Sequence, residues 1–184
     1  KLRGTYFYRT LFFMPHLIPS VASVILWKKL MHPRVGLINA MLKMIGIEGP
    51  GWLTDPSTAM MSVILIGLWG SIGGNRMLIF LAGLQGVPQE LYEALLVDGA
   101  NWFQKTWHVT IPMITPTIFF NLVLSVISTF QTFTSAYVAT DGGPLDATNV
   151  LAVHTYETAF ELGQFGRAAA LTVVLFGVNA VVVA

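Results

Sequence analysis

The chain has 184 residues, 54% of them apolar and only 10% charged, whereas a soluble domain usually carries about 25% charge. A mean hydropathy of +0.68 excludes a solvated globule, a disordered chain and a nucleic-acid binder. Ten Lys+Arg against nine Asp+Glu leave a net charge of +1, too little to steer an acidic partner, and the lack of cysteine excludes disulfides, thiolate metal sites and a cysteine nucleophile.

The uncharged gaps mark out the membrane spans. Eighteen residues separate Arg9 from Lys28, twenty uncharged residues run from Pro56 to Asn75, thirty-five from Thr106 to Thr140, and seventeen from Ala168 to the last residue. A bilayer core needs roughly 20 helical residues, so the pattern predicts four helical spans near Phe7–Leu30, Thr58–Leu84, Met113–Tyr137 and Ala168 onward. The runs are long and unalternating, unlike the short alternating strands of a barrel. The expected class is therefore all-α, a polytopic transmembrane helical bundle forming one domain over residues 1–184. The chain begins with Lys1 and stops within Val181-Val182-Val183-Ala184, so a fragment cut at both ends is expected.

In the first span, Pro15 and Pro19 each remove an N–H donor and should bend the helix. His16 between them reads as a core or interface residue. The connection Met31–Ser57 holds turn chemistry at His32-Pro33, Gly49-Pro50-Gly51 and Asp55-Pro56. Within it Leu37, Ile38, Met41, Leu42 and Ile45 recur at helical spacing and predict a short amphipathic helix at the membrane interface. In the second span Gly67, Gly70, Ser71 and Gly74 suit close helix approach. Gly73-Gly74-Asn75 predicts a local break that lets Arg76 reach water or a carbonyl.

Residues 85–112 predict a rigid elbow rather than a tether. Pro88 suits the first turn of a helix, and Glu90 and Glu93 in that turn complement its positive end. Leu91, Ala94 and Leu95 share one face. The helix should stop at Asp98-Gly99, where glycine tolerates a left-handed position. Asn101 and Gln104 then form a capping-box pattern for a second helix. Trp102, Phe103 and Trp107 suit a membrane surface, and Pro112 closes the unit. Spacing alone leaves two roles open: a lever gripped by a partner, or a helix pair packed on its own spans.

The third span carries a polar stripe. Thr117, Asn121, Ser125, Ser128 and Thr132 stay within an arc of about 80° on a helix, with Thr129 and Gln131 at its edges. Polar groups at this depth either line a path or pack helices together. Asn121, Ser125, Ser128 and Gln131 are the candidate path residues, with Asn121 and Gln131 favoured for the path and the hydroxyls for packing. There is no G-x-x-x-x-G-K-[ST], no H-E-x-x-H and no nucleophile elbow. The four histidines are scattered. No catalytic residue, metal or cofactor is expected.

Glu93-Ala94-Leu95, three residues, Gly99, nine residues and then Val109-Thr110-Ile111-Pro112 resemble the EAA motif of ABC importer permeases, with Leu95 in place of the second alanine. Leu81-Ala82-Gly83-Leu84-Gln85, Pro88, Asp98-Gly99-Ala100 and Gly142-Gly143-Pro144 extend the likeness. So do Arg9-Thr10-Leu11-Phe12-Phe13 and Ala159-Phe160. Nearly the whole chain is similar to the sugar-importer branch, the maltose and glycerol-3-phosphate type. The resemblance implies a six-helix permease core, of which about four helices are present, in a bacterial inner membrane. It implies a cytoplasmic coupling loop at 85–112, in which Glu93, Ala94, Asp98, Gly99 and Pro112 form or shape the contact with a separate ATPase subunit. Residues 1–9 would then lie inside, and the connections 31–57 and 138–167 outside. The implied partners are two ATPase copies, a second related permease, an external substrate-binding protein and membrane lipid, with no nucleic acid.

Charge alone does not orient the chain. Lys1, Arg3, Arg9 and Lys105 stand against Lys28, Lys29, Arg34, Lys43 and Arg167 on alternate sides. The rival readings are a secondary transporter, for which only Arg76 and His16 offer ionisable groups within spans, and a permease of the same family carrying a non-sugar cargo. An integral-membrane enzyme would need clustered His, Asp or Glu at a membrane face, and the sequence has none.

Overall fold

The computed structural model describes residues 4–183, all of whose regular elements are helical. Lys1, Arg3 and Ala184, which enter the charge and chain-end expectations, lie outside the described residues. In chain order the helices are α1 (Thr5–Leu17), α2 (Ser20–Leu30), α3 (Leu37–Met44), α4 (Pro56–Ser71), α5 (Gly74–Gln85) and α6 (Gln89–Val97). They continue with α7 (Trp102–Lys105), α8 (Ile111–Phe130), α9 (Thr134–Thr140), α10 (Leu151–Tyr156) and α11 (Phe165–Val183). Thr106–Thr110 and Glu157–Glu161 are π-helical turns.

The regions Trp102–Thr140 and Phe165–Val182 are long and apolar enough to cross a membrane unaided. The first two expected spans reach that length only as broken pairs, α1 with α2 and α4 with α5, so the described residues hold two spans, or up to four when each pair counts as one. The breaks have local causes. Pro15 sits inside α1 without ending it, and the chain leaves the helix at Ile18, with Pro19 as the residue before α2 (φ −53°, ψ 133°). At the second break Gly73 and Gly74 adopt φ of +80° and +55°, a region L side chains avoid, which realises the break expected beside Arg76. Arg76 falls in the first turn of α5 and is half-buried, while His16 is exposed in the last turn of α1.

The chain divides into two compact units. One combines the residues up to Met14 with Ile72–Ser125. Here α5 meets α8 closely. A Cβ placed on Gly83 would stand 2.6 Å from the Thr117 Oγ1. The close approach expected at Gly67 and Gly70 is not seen, since a Cβ on either meets nothing within 4 Å. Gly67 and Gly70 therefore border open space, and tight approaches occur instead at Gly83 and at Gly73, where a Cβ would run into the Phe12 backbone of α1.

The second unit comprises Pro15–Ser71 and the residues from Val126 on. Its core gathers Val24, Met31, Leu53, Val63, Ile66, Ala136, Ala139 and Val153, with α9 packed on α2 and α4. Ala136 and Ala139 place only methyl groups on the buried side of α9, which permits its close packing on α2. Asp55 caps α4: its Oδ1 accepts from the Ser57 N–H at 2.9 Å and the Ser57 hydroxyl at 2.7 Å. These bonds favour the carboxylate and hold its pKa below the usual range, so the cap persists above that value and is lost as pH falls through it. After α9, Asp141 takes a left-handed conformation, and buried Thr148 closes the Gly142-Gly143-Pro144 turn through its Oγ1, which donates to the Gly143 carbonyl at 2.7 Å.

The Gly83 contact gives a test. Gly83→Ala should destabilise the protein by about 1–3 kcal/mol, as overpacked cores do. Gly83→Ala combined with Thr117→Ala should recover much of the loss, read as the thermal midpoint in detergent. Equal losses in the single and double variants would mean that Thr117 is not the obstacle.

Candidate functional site: a helix–glycine–helix elbow

The elbow forms as its local chemistry dictates. Pro88 is the residue before α6 rather than in its first turn, so only Glu90 falls in that turn. Glu93 lies one turn further on, where its Oε1 accepts from the Gln89 amide at 3.1 Å. The expected face of Leu91, Ala94 and Leu95 is also shifted. Tyr92 and Leu95 are the half-buried pair, and Leu91 and Ala94 face outward. The reason is the Tyr92 hydroxyl, which hydrogen-bonds the Thr110 Oγ1 at 2.8 Å and turns that side of α6 towards the base of α8.

At the C-terminus of α6 the Asp98 and Gly99 N–H groups donate to Ala94 and Leu96, and the Ala100 N–H returns to Leu95 at 2.9 Å. Gly99 carries this reversal with φ +72°, and a Cβ there would meet nothing within 4 Å. The residue is demanded by backbone conformation alone, with no steric obstacle. The chain then enters α7 through a complete capping box. The Gln104 N–H donates to Asn101 Oδ1 at 2.9 Å, and the Asn101 N–H donates to Gln104 Oε1 at 2.8 Å.

Pro112 stands where the next span begins, but without a break in the helix. It lies within the first turn of α8, which follows α7 through the π turn Thr106–Thr110. In that turn the Ile111 N–H donates to the Thr106 carbonyl, one residue further back than in an α-helix. A proline ring clashes with the carbonyl four residues earlier, and the widened turn relieves this without ending the helix. The elbow is thereby built directly onto the membrane helix α8. Its outer surface is apolar: Val97 is 89% exposed and Trp102 79%, and Phe103 stacks on Trp107 at 6.2 Å between ring centroids. Glu93, Ala94, Asp98 and Gly99 are all exposed along it.

The polar stripe is realised in part. Asn121 is buried, its amide donating to the Thr117 carbonyl at 3.0 Å, and Ser125 Oγ donates to the Asn121 carbonyl at 2.7 Å. The Asn121 Oδ1 is a buried acceptor without a partner among the described residues. Because α8 ends at Phe130, Gln131 and Thr132 leave the helical arc, and Ser128 and Gln131 are exposed.

A second polar feature was not read from the sequence. The break between α1 and α2 opens a cavity of about 480 Å³ lined by Pro15, Ser20, Ser23, Gly67, Gly70 and Ser135. Threonines and serines in other helices donate back to their own backbone, as Thr115 and Ser125 do in α8 and Thr155 in α10. The hydroxyls of Ser20, Ser23 and Ser135 make no hydrogen bond among the described residues and remain available to an occupant. The available signal was Ser20 and Ser23 directly after Pro19. Ser135, more than a hundred residues away, carried none.

The chain matches, over residues 3–184, the family model described as "Binding-protein-dependent transport system inner membrane component". It is 43% identical over 177 residues to the probable ABC transporter permease protein YesP of Bacillus subtilis, covering 94% of this chain and 56% of that protein. It is 31% identical over 176 residues to the trehalose/maltose transport system permease protein MalF of Thermococcus litoralis, covering 96% and 59%. It is 35% identical over 177 residues to the sn-glycerol-3-phosphate transport system permease protein UgpA of Agrobacterium fabrum, covering 95% and 59%. Among solved structures, a chain of a bacterial alginate ABC transporter in complex with an alginate pentasaccharide-bound periplasmic protein superposes with a TM-score of 0.89 at 25% identity. That match covers 100% of this chain and 64% of the other. The chain thus spans between 56% and 59% of the length of these three curated relatives.

The elbow's second arm rests on its cap. Asn101→Ala should cost about 1 kcal/mol and speed amide exchange over residues 101–106 about fivefold, measured by hydrogen–deuterium exchange. Unchanged exchange would mean that the capping box does not hold the arm.

Proposed function

The chain belongs to the binding-protein-dependent transport system inner membrane component family, and from that premise we propose that it is the transmembrane subunit of an ATP-driven importer of a sugar or sugar derivative. The observation that carries the reading is the elbow. It is a rigid, capped reversal continuous with α8 through the π turn, with an exposed apolar rim at Val97, Trp102 and Phe103. An element of this kind converts a push on its tip into movement of the helix it is built on. A flexible loop would dissipate the push.

In this reading the elbow at 85–112 is cytoplasmic and seats in a cleft of an ATPase subunit, with Glu93, Ala94, Asp98 and Gly99 at the contact and Pro112 in the first turn of the driven helix. Closure of the ATPase pair on binding ATP moves the elbow and switches the path between its two openings. A second, related permease completes the path, and an external binding protein delivers the cargo to the opposite face. The chain itself performs no covalent chemistry, so its residues act by position and by hydrogen bonding.

The sugar assignment is supported by the named cargoes of similar proteins, trehalose/maltose and sn-glycerol-3-phosphate, and by groups suited to polyols. The orphan Asn121 Oδ1 and the unused hydroxyls of Ser20, Ser23 and Ser135 supply acceptors and donors at membrane depth. Polar groups there otherwise have to satisfy one another. Ser125, Ser128 and Gln131 extend the candidate path along and beyond α8.

Gly99 separates docking from folding. Aspartate tolerates the left-handed region better than most residues, and the space around a Cβ is empty. Gly99→Asp should therefore insert and assemble normally while transport falls at least tenfold, with ATPase activity no longer responding to substrate. Gly99→Asn, equally tolerant but uncharged, should retain more transport. Glu93→Lys should weaken co-purification of the ATPase with the full-length protein expressed beside its native neighbours. Wild-type transport by Gly99→Asp, or absence of an associated ATPase, overturns the reading.

The cavity provides an independent arm. Ser23→Leu should raise the substrate concentration for half-maximal uptake about fivefold or more, with ATPase association intact. Unchanged uptake would exclude Ser23 from the path.

A further inference from the structure

The segment from Lys28 to Ile47 takes no part in the elbow or the cavity. It carries Lys28, Lys29, Arg34 and Lys43 with no acidic residue between them. The two lysines sit in the last turn of α2, where a broken membrane span ends, so the chain emerges from the apolar layer at this point. His32 then fixes the turn, its Nδ1 accepting from the Arg34 and Val35 N–H groups at 3.2 and 3.3 Å. Val35 is left 81% exposed.

Helix α3 is anchored on one side only. Ile38 packs against the buried core, and the Asn39 amide donates to the Pro33 and Pro50 carbonyls while its Oδ1 accepts from the Trp52 indole. At 100° per residue, Leu37, Met41 and Met44 form a ridge beside that anchored side, and Lys43 stands away from the ridge. Met41 is 56% exposed and Met44 84%. The polar groups of Asn39 are spent on the protein's own turns, and the ridge itself offers methionine and leucine with no hydrogen-bonding side chain. Such a surface suits a fluid apolar phase bordered by negative charge.

We propose that α3 and the turn before it form a docking surface for anionic phospholipid, with the Val35–Leu37–Met41–Met44 ridge immersed at the headgroup–acyl boundary and Lys29, Arg34 and Lys43 paired with lipid phosphates, while the Lys28 ammonium donates to the Val138 carbonyl at 3.5 Å. The charge is predominantly positive: Lys29, Arg34 and Lys43 are exposed, and the first anion after them is Glu48, beyond the ridge. Each basic residue near an anionic surface strengthens the attraction about fivefold. The lipid clamp fixes the end of α2 against the membrane surface, so the broken first span has one arm tethered. This inference does not depend on the cargo or on the ATPase contact.

The test uses the full-length protein with its partner subunits in nanodiscs, carrying Met44→Cys labelled with a bimane fluorophore. Met41→Cys serves as a second reporter and Glu48→Cys as a control beyond the ridge. Brominated phosphatidylcholine and brominated phosphatidylglycerol are compared at equal mole fraction, alongside aqueous iodide. Quenching at Met44 and Met41 by both bromolipids, severalfold stronger for phosphatidylglycerol and equalised by Arg34→Glu with Lys43→Glu, is the expected result. Equal quenching by the two lipids in the unmodified sequence would overturn the anionic preference. Full quenching by iodide with none by bromolipid would overturn the proposal altogether, leaving the ridge to water. Protection from all three quenchers would also overturn it, assigning the ridge to a protein partner such as the external binding protein.

Discussion

A peptide group within a bilayer has no water to bond, so every N–H and carbonyl must find its partner in the chain. The breaks in this protein are consequently few and chemically specific. Pro19 has no N–H to lose. Gly73 and Gly74 reach positive φ without steric cost. Where α8 ends, the backbone is carried by the Gln131 N–H bonding Ile127 and the Thr132 N–H bonding Thr129, while the Thr132 hydroxyl returns to Ser128. At Pro112 the helix does not break at all, because the π turn Thr106–Thr110 absorbs the ring. The same constraint makes the hydroxyls of Ser20, Ser23 and Ser135 conspicuous, since Thr115, Ser125, Thr140 and Thr155 donate to their own helices.

This economy connects the elbow to the membrane domain. An ordinary loop joining α6 to α8 would let the two move separately. Here the left-handed Gly99 reverses the chain in the fewest residues, the Asn101–Gln104 box starts the return helix, and the π turn passes that helix into α8. The Tyr92–Thr110 hydrogen bond then ties the outgoing arm to the base of the return. Four local devices together brace residues 85–112. Rigidity is what a mechanical contact with a partner requires, and the exposed aromatic rim at its tip is the surface such a contact would cover.

Much of this was legible in order along the chain. The uncharged gaps located the spans, Gly99 was identified as the left-handed stop, and the Asn101–Gln104 cap and the break at Gly73 were read from residue type alone. The spans rest on continuous stretches of composition, and the stop, the cap and the break on interactions between near neighbours in the chain. The departures arose where a side chain met something distant in sequence. The packed side of α6 shifted from Leu91 to Tyr92 because Thr110, eighteen residues on, offered an oxygen. Gly83 rather than Gly67 became the close contact because Thr117 lies opposite it. Pro112 was read as closing the elbow where the next span begins, and the π turn that joins the two without a break has no residue signature.

The amino-acid sequence by itself determined that this is an all-helical membrane protein with a capped elbow between its second and third apolar regions. Hydropathy, glycine and proline geometry and capping chemistry act locally, and they are written into adjacent residues. Only the tertiary structure decided which faces are covered and which polar groups remain unspent. It brought Ser135 to the same cavity as Ser20 and Ser23, left Asn121 Oδ1 without a partner among the described residues, and anchored α3 through Asn39 with its methionine ridge turned outward. Those outcomes depend on the relative placement of segments far apart in the chain, and the spacing of residues along one helix does not encode it.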